Sequence, residues 1–411
     1  MPDRGTTAVE EFAGLQKEAQ TAGKAGDPPG RLRAAIKMQR LLHDAPDAVE
    51  YAAQAYWANG DTPNALNLLR LFAGLGQTDT GLLKGDSKLF PDLGKQPQFQ
   101  AILERFAANQ TAVSRAELVF TLRDPSILPE DIDYDPQTRS FLLTSVLQKK
   151  IIRLYEDGHE TDFSKSPSGW PMLAIKIDPV HHLVWASEVA MNGFTAVAKQ
   201  DWGRSAVLCY DLRSGALLKR IEGPRGKAFG DMALIGEGEP IVCDGEGGGV
   251  YRVVKDRFVL INDMDFISPQ TPVLLPDGEH MLVPDYVRGI GILDLRSKLV
   301  TWLKEDGGEK VALNGVDGLY FDRGTLILTQ NGTFPECVIE LQLDGSFTQV
   351  RSAQIIERGT ATLGDPTHGV IVNGVFYYIA NSGWSEMDEH GRLKAGGRLT
   401  PAKIMRFALG S

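Results

Sequence analysis

The stretch LPEDIDYDPQTRSFLLTSVLQKKIIRL, Leu128–Leu154, decides the fold. Glu130 and Asp131 follow a proline. A short strand comes next (Ile132, Tyr134), then a turn at Asp135-Pro136-Gln137-Thr138, then an apolar strand from Ser140 to Val146. Lys149-Lys150 turns the chain into a third strand, Ile151 to Tyr155. Strand, tight turn, strand, polar turn, strand is the pattern of an antiparallel meander. It returns downstream, each time behind polar residues where the first begins with Glu130.

Similar units start near Trp170, Phe229, Ser268, Asn314 and Asp365. WPMLAIKIDPVHHLVWASEV places Asp178-Pro179 where the first unit has Asp135-Pro136. FGDMALIGEGEPIVCD, SPQTPVLLPDGEHMLVPD, NGVDGLYFDRGTLILTQNG and DPTHGVIVNGVFYYIAN repeat the plan, and apolar outer strands follow each. Six units at a mean spacing of about 45 residues predict a six-bladed β-propeller. Ala116 to Leu122 alternates apolar and polar residues but has no unit of its own. It is expected to pair beside Lys403–Leu409 and close the ring, since an unpaired edge invites aggregation.

Ahead of the propeller, residues 1 to about 112 read as helices. Val9 to Ala22 is amphipathic and is broken by Gly26-Asp27-Pro28-Pro29-Gly30. Leu32, Ile36, Met38, Leu41 and Leu42 recur at helical spacing, and Gln98 to Ala107 forms a last helix. In Asp47–Gly76, a helix rich in small residues joins a leucine-rich one through Asn59-Gly60-Asp61. Asp61 or Thr62 is suited to cap the second, with Pro63 in its first turn. Tyr51, Ala55, Gly60, Ala65 and Leu69 resemble a tetratricopeptide repeat, although a solenoid needs about three. The expected architecture is mainly β, with a small α-helical, tetratricopeptide-like domain (residues 1–112) before a six-bladed β-propeller (residues 113–411). The helical module offers a surface for a protein partner, or simply packs on the propeller.

A net charge of −10 argues against nucleic acid as partner, because phosphate binding needs a basic face. Residues 1–115 hold 13 acidic and 13 basic side chains, so the acidity lies in the propeller and suits a cation better than an anion. No apolar run approaches the roughly 20 residues that span a bilayer, so no membrane partner is expected. Met1-Pro2-Asp3-Arg4 leads into no apolar h-region, so no signal peptide is read there; a periplasmic or secreted location stays open. Cys209, Cys243 and Cys337 lack paired spacing and read as buried free thiols rather than zinc ligands.

Inner strands of a propeller converge on its axis, so their first turns form a ring. That ring reads Glu130 and Asp131, Met172, Asp231, Gln270 and Thr271, Asn314 and Asp317, then Asp365, Thr367 and His368. Carboxylate and amide oxygens dominate, which suits a hard divalent cation, Ca²⁺ above all; the alternative is polar strand ends at a solvated pore. His368 is a further acid or base candidate, since histidine titrates near neutrality. Trp170, Trp202 and Trp384 are placed to wall the channel mouth, or else to pack between blades. His181-His182 reads as surface, and Gly245–Gly249 as a hairpin turn rather than a nucleotide loop.

Leu128–Leu154, NGVDGLYFDRGTLILTQNG and the blade plan resemble the senescence-marker-protein/gluconolactonase family and, more distantly, the paraoxonases. The resemblance covers about residues 116–410. It implies one divalent ion, often Ca²⁺, at one end of the channel. In that family the ion is held by a Glu opening blade one, an Asn opening blade four and an Asp-Gly aspartate of blade five. Glu130 and Asp317 match; Gln270 stands where the Asn is expected, keeping an amide oxygen on a longer arm. Gly230-Asp231 replaces the usual Asn-Asp of blade three, and Asn314 is the residue able to restore the missing amide. The activity implied is metal-assisted hydrolysis of a small lactone or ester, with Glu130, Gln270 and Asp317 as ligands. Asp317, Asp231 or His368 would serve as acid or base, and Asn314, Thr271 and the three tryptophans would face substrate. The alternatives are a non-catalytic ligand-binding or scaffolding propeller, and a metal-dependent isomerase or lyase of a biosynthetic pathway.

Overall fold

The computed structural model describes residues 5–85, 88–305 and 310–410. Met1–Arg4, where no signal peptide is read, lies outside the described residues. Six four-stranded antiparallel meanders form the propeller. Blade one runs Pro129–Asp135, Ser140–Ser145, Lys150–Tyr155 and Glu160–Lys165, from axis to rim. The inner strands of blades two, three, five and six are Met172–Asp178, Phe229–Ile235, Val316–Asp322 and Gly369–Val372. In blade four the inner strand shrinks to Val273–Leu274. Pro269, Pro272 and Pro276 surround it, and a residue without an N–H cannot donate to a ladder. Apolar clusters fill the gaps between adjacent blades, such as Leu142, Ile151, Ile175, Ala186 and Leu208 between blades one and two.

The ring closes as expected from the sequence. Glu117–Thr121 pairs antiparallel with Lys403–Ala408 as the rim strand of blade six, so the first strand after the helices locks the last blade. Blade five also takes Val113–Ser114 and Lys304–Glu305 onto its long rim strand, Gln349–Arg358. Gly245–Gly248 is the turn of a blade-three hairpin, and all three cysteines are buried and free.

Before the propeller come helices α1 (Ala8–Ala25), α2 (Pro28–Leu41), α3 (Pro46–Ala58) and α4 (Thr62–Gly74). Thr7 and Glu10 form a capping box on α1, and Asp61 caps α4 by accepting from Asn64 N–H at 3.2 Å. Shorter helices α5 (Thr80–Leu83) and α6 (Gln100–Asn109) follow, and Phe72, Phe99, Ile102 and Phe106 share one core with α4. Helix α1 meets the propeller where Ala8 N–H donates to Met264 O at 2.8 Å. No described helix is long and apolar enough to cross a membrane.

Candidate metal centre

The channel end that carries the site is built by one repeated local device. Register shifts occur at the start of the inner strands of blades one, two, three and five, at 129/132, 172/175, 229/231 and 316/318. Such bulges re-aim side chains, and here they fall on Glu130, Asp131, Asp231 and Asp317. A hydroxyl on the neighbouring strand satisfies the N–H that the bulge frees. Thr144 accepts from Asp131, Ser187 from Ala174, and Thr329 from Gly318, at 3.0, 3.0 and 2.9 Å. Thr144 and Thr329 then donate to the carbonyls of Leu173 and Thr367 in the next blade. Adjacent blades are thereby fixed to each other beside the site.

Glu130, Asp317 and His368 converge, with one ligand-capable atom of each within 4.8 Å of the others. His368 is 2% exposed and both its ring nitrogens are engaged. Nδ1 lies 2.9 Å from the backbone carbonyl of Glu130, which only accepts, so Nδ1 carries a proton. Nε2 lies 3.1 Å from Asp231 Oδ1 and 2.8 Å from Thr271 Oγ1, while the Thr271 hydroxyl donates to that same carboxylate at 2.7 Å. With the threonine proton spent on Asp231, Nε2 is also a donor. The ring is an imidazolium set among carboxylates. Burial alone would lower its pKa, but Asp317, Asp131 and Asp231 outweigh burial and push it up to about 10.

The carboxylates shift for the complementary reason. Burial first, and Asp317 second, push Glu130 up to about 8. Burial, then Asp231, carries Asp317 up to about 6 against the pull of His368. Each is oriented by a neighbour. The Trp384 indole donates to Glu130 Oε2, and the Asn331 amide donates to Asp317 Oδ2 at 2.9 Å. Asp131 belongs elsewhere: fully buried, it accepts from Lys176 Nζ at 2.6 Å and from Ile175 N–H at 2.8 Å. It ties blade one to blade two.

The other residues singled out in the sequence divide. Asn314 is 7% exposed and its Oδ1 has no hydrogen-bond partner, an orphaned buried amide oxygen at the start of blade five. Gln270 turns its amide nitrogen back onto Ser268, 3.2 Å from the carbonyl and 3.1 Å from the hydroxyl. Trp384 reaches the cluster through Glu130. Trp170 is buried, with the guanidinium groups of Arg204 and Arg220 at 5.1 and 5.2 Å from its ring, and it packs between blades against Leu128, Val146 and Met387. Trp202 donates to Val197 O at 3.3 Å and, with Trp384, packs against the apolar cluster that includes Leu128, Trp170 and Met387. Thr367 is buried, with its hydroxyl unpartnered.

Sequence reasoning passed over Asn331, Tyr286 and the hydroxyl row. Asn331 and Tyr286 sit between second and third strands, away from the first turns of inner strands where the ring was expected. The hydroxyl row had a signal: Thr144 and Thr329 are the penultimate residues of second strands and Ser187 lies near the end of one, in the contexts LLTS, ILTQ and WASE.

No protein-family model matches the chain, and no curated protein matches it significantly. Solved structures do. A gluconolactonase from Xanthomonas campestris is 15% identical at a TM-score of 0.50, covering 74% of this chain and 93% of that one. The likeness is one of fold. A calcium-binding protein, regucalcin, from Agrobacterium tumefaciens is 16% identical at a TM-score of 0.49, over 71% of this chain and 92% of its own. Virginiamycin B lyase from Staphylococcus aureus is 12% identical at 0.43, over 72% and 89%. By name these neighbours include a gluconolactonase and a lyase, enzymes of different reaction types.

Proposed function

We propose that the chain is a metal-dependent hydrolase, acting on a small lactone or ester at the channel end. The observation that carries it is the convergence of Glu130, Asp317 and His368, with the orphaned amide oxygen of Asn314 three residues before Asp317 in the chain. Two carboxylates and an amide form an oxygen donor set, which fits a hard divalent ion such as Ca²⁺. Glu130 and Asp317 would hold the ion, with the amide oxygen of Asn314 or Gln270 as third ligand, the Gln270 amide nitrogen being held by Ser268. When bound, the ion would polarise the substrate carbonyl.

The chain's own groups supply the proton chemistry. The Glu130 carbonyl fixes the His368 ring, so that Nε2–H is presented beside Asp231. That proton can pass to the departing alkoxide oxygen, and Asp231 or Asp317 can take one from attacking water. Trp384, packed with Leu128, Trp170 and Phe194, keeps an apolar wall next to Glu130 that limits water.

The test is turnover of a lactone and ester panel, with and without chelator, by the full chain. Chelation is expected to abolish hydrolysis and calcium to restore it, and Glu130→Gln or Asp317→Asn to cost roughly 10²–10⁴-fold in kcat/KM. A chain that turns over no member of the panel and ignores chelation refutes the proposal. One observation favours a second reading, a non-catalytic ligand-binding propeller: His368 already places a protein cation among the acids. Ligand binding without turnover in the same panel would select it.

A further inference from the structure

The helices dock on the same end of the propeller as the carboxylates. Second strands end where inner strands begin, so the loops after the second strands of blades four and five, Tyr286–Arg288 and Asn331–Glu336, lie at that end. Both loops are gripped by the helical module. His43, just past α2, packs its ring on Trp302 at 4.5 Å and lies 3.1 Å by Nδ1 from Arg288 O. The Arg288 guanidinium donates to Leu41 O at 2.9 Å and stacks over Trp302 at 4.5 Å. On blade five, Phe334 N–H donates to Gln77 Oε1 at 3.0 Å, and Thr78 N–H donates to Phe334 O at 2.8 Å. Gln77 and Thr78 are themselves buried.

The same two loops carry a hydrogen-bond relay into the site. Tyr286 OH donates to Asn331 Oδ1 at 2.9 Å, and Asn331 Nδ2 donates to Asp317 Oδ2 at 2.9 Å. Asn331 therefore fixes the orientation of the Asp317 carboxylate through Oδ2. The backbone allows little play. Gly315 N–H donates to Tyr286 O at 2.7 Å, and Gly332 N–H to Gly315 O at 3.1 Å. A Cβ on Gly332 would come within 2.5 Å of Gly315 Cα and 2.6 Å of the Tyr286 ring, so only glycine permits this approach.

We propose that the helical module is a positioning element of the carboxylate centre. By clamping the Arg288 and Phe334 loops, it holds Tyr286 and Asn331 in the register that fixes Asp317. The inference rests on the metal site proposed above and adds to it a role for residues more than two hundred positions away in the chain. Asn331 and Tyr286 are positioning residues, acting through Asp317.

The experiment is a Tb³⁺ titration of the full chain, with emission sensitised by Trp384 and the site signal defined as that lost in Glu130→Gln. Asn331→Ala is expected to weaken Tb³⁺ about 10–100-fold, as partners of metal ligands commonly do. Tyr286→Phe, which keeps the ring, and the double variant His43→Ala/Gln77→Ala, which loosens the clamp, are expected to weaken it about 3–10-fold. Thermal melting checks that each variant folds; should the double variant unfold, Tyr286→Phe carries the test. Wild-type Tb³⁺ affinity in a folded Tyr286→Phe and a folded double variant overturns the proposal while leaving the metal site intact. Absence of a Glu130-dependent signal in the wild type overturns the metal site and, with it, this role for the helices.

Discussion

Replacing His368 by leucine is the most demanding perturbation of the centre. The ring is 2% exposed, donates to the Glu130 carbonyl and faces Asp231 and Thr271, so leucine removes a cation and its hydrogen bonds together. Breaking a buried charge pair from one side costs about 3–5 kcal/mol, because the carboxylates stay behind uncompensated. For 411 residues at roughly 2 cal/mol/K each, the unfolding entropy is about 0.9 kcal/mol/K. The melting temperature should therefore fall by roughly 3–6 °C in metal-free buffer. Calcium then becomes the replacement cation. At 100 times its Kd an ion adds about 2.7 kcal/mol, returning roughly 3 °C. The calcium-induced rise should be larger in His368→Leu than in wild type, since the imidazolium no longer repels the ion. Differential scanning calorimetry with chelator and with graded calcium reads all three quantities. A variant that melts within 1 °C of wild type, or one whose loss calcium leaves untouched, would refute the charge-balance argument.

Further outcomes can be checked independently. Thr144→Val and Thr329→Val each strand the N–H of a bulge and a carbonyl of the next blade, and should cost about 1–3 kcal/mol by denaturant unfolding. Burial and the neighbouring Asp79 push Glu50, on α3, up to about 7 from its ordinary 4.5. The folded state thus holds that proton more tightly than the unfolded one, and wild-type stability falls as pH rises from about 4.5 to 7. Glu50→Gln should be nearly neutral at pH 4 and stabilising at pH 8, seen as a flatter pH profile of the denaturation midpoint. Trp384→Phe keeps an apolar wall but withdraws the indole donor from Glu130; its Tb³⁺ or calcium affinity, read by calorimetry, should drop several-fold.

The blade plan was legible because a meander writes itself into sequence twice, as period-two alternation and as turn chemistry. Asp135-Pro136 and Asp178-Pro179 marked equivalent turns, and the stray strand before blade one had only one edge left to pair with. Blade four shows where that legibility ends. SPQTPVLLPDGEH reads as a strand, but its prolines leave two residues in the ladder. The helical stretch gave its capping residues correctly, with Asp61 doing the capping, while a single repeat-like pair carried too little pattern to define a repeat fold. At the site, Glu130, Asp231, Asp317 and His368 could be named because each opens an inner strand. Gln270 precedes one too, and there the amide nitrogen is held by the Ser268 hydroxyl and carbonyl two residues back. Asn331 and Tyr286 were invisible because their role depends on contacts between blades that no spacing along the chain encodes.

Charge counting explains why a divalent ion fits a centre that already contains a cation. Glu130, Asp231 and Asp317 bring three negative charges when ionised, and His368 brings one positive. Asp131 also faces His368, but its charge is balanced by Lys176 Nζ at 2.6 Å. The remainder is two negative charges in a buried channel end, the charge that one divalent ion neutralises. Without an ion the same imbalance is met by protons, which is why burial and mutual repulsion push Glu130 up to about 8 and Asp317 up to about 6. Imidazolium and ion are then complementary rather than alternative. On the proposed reading, the histidine sets the residual charge and keeps a transferable proton at Nε2, and Glu130 and Asp317 would hold the ion. Loss of the histidine should tighten the ion and slow the chemistry, whereas loss of either carboxylate should weaken both.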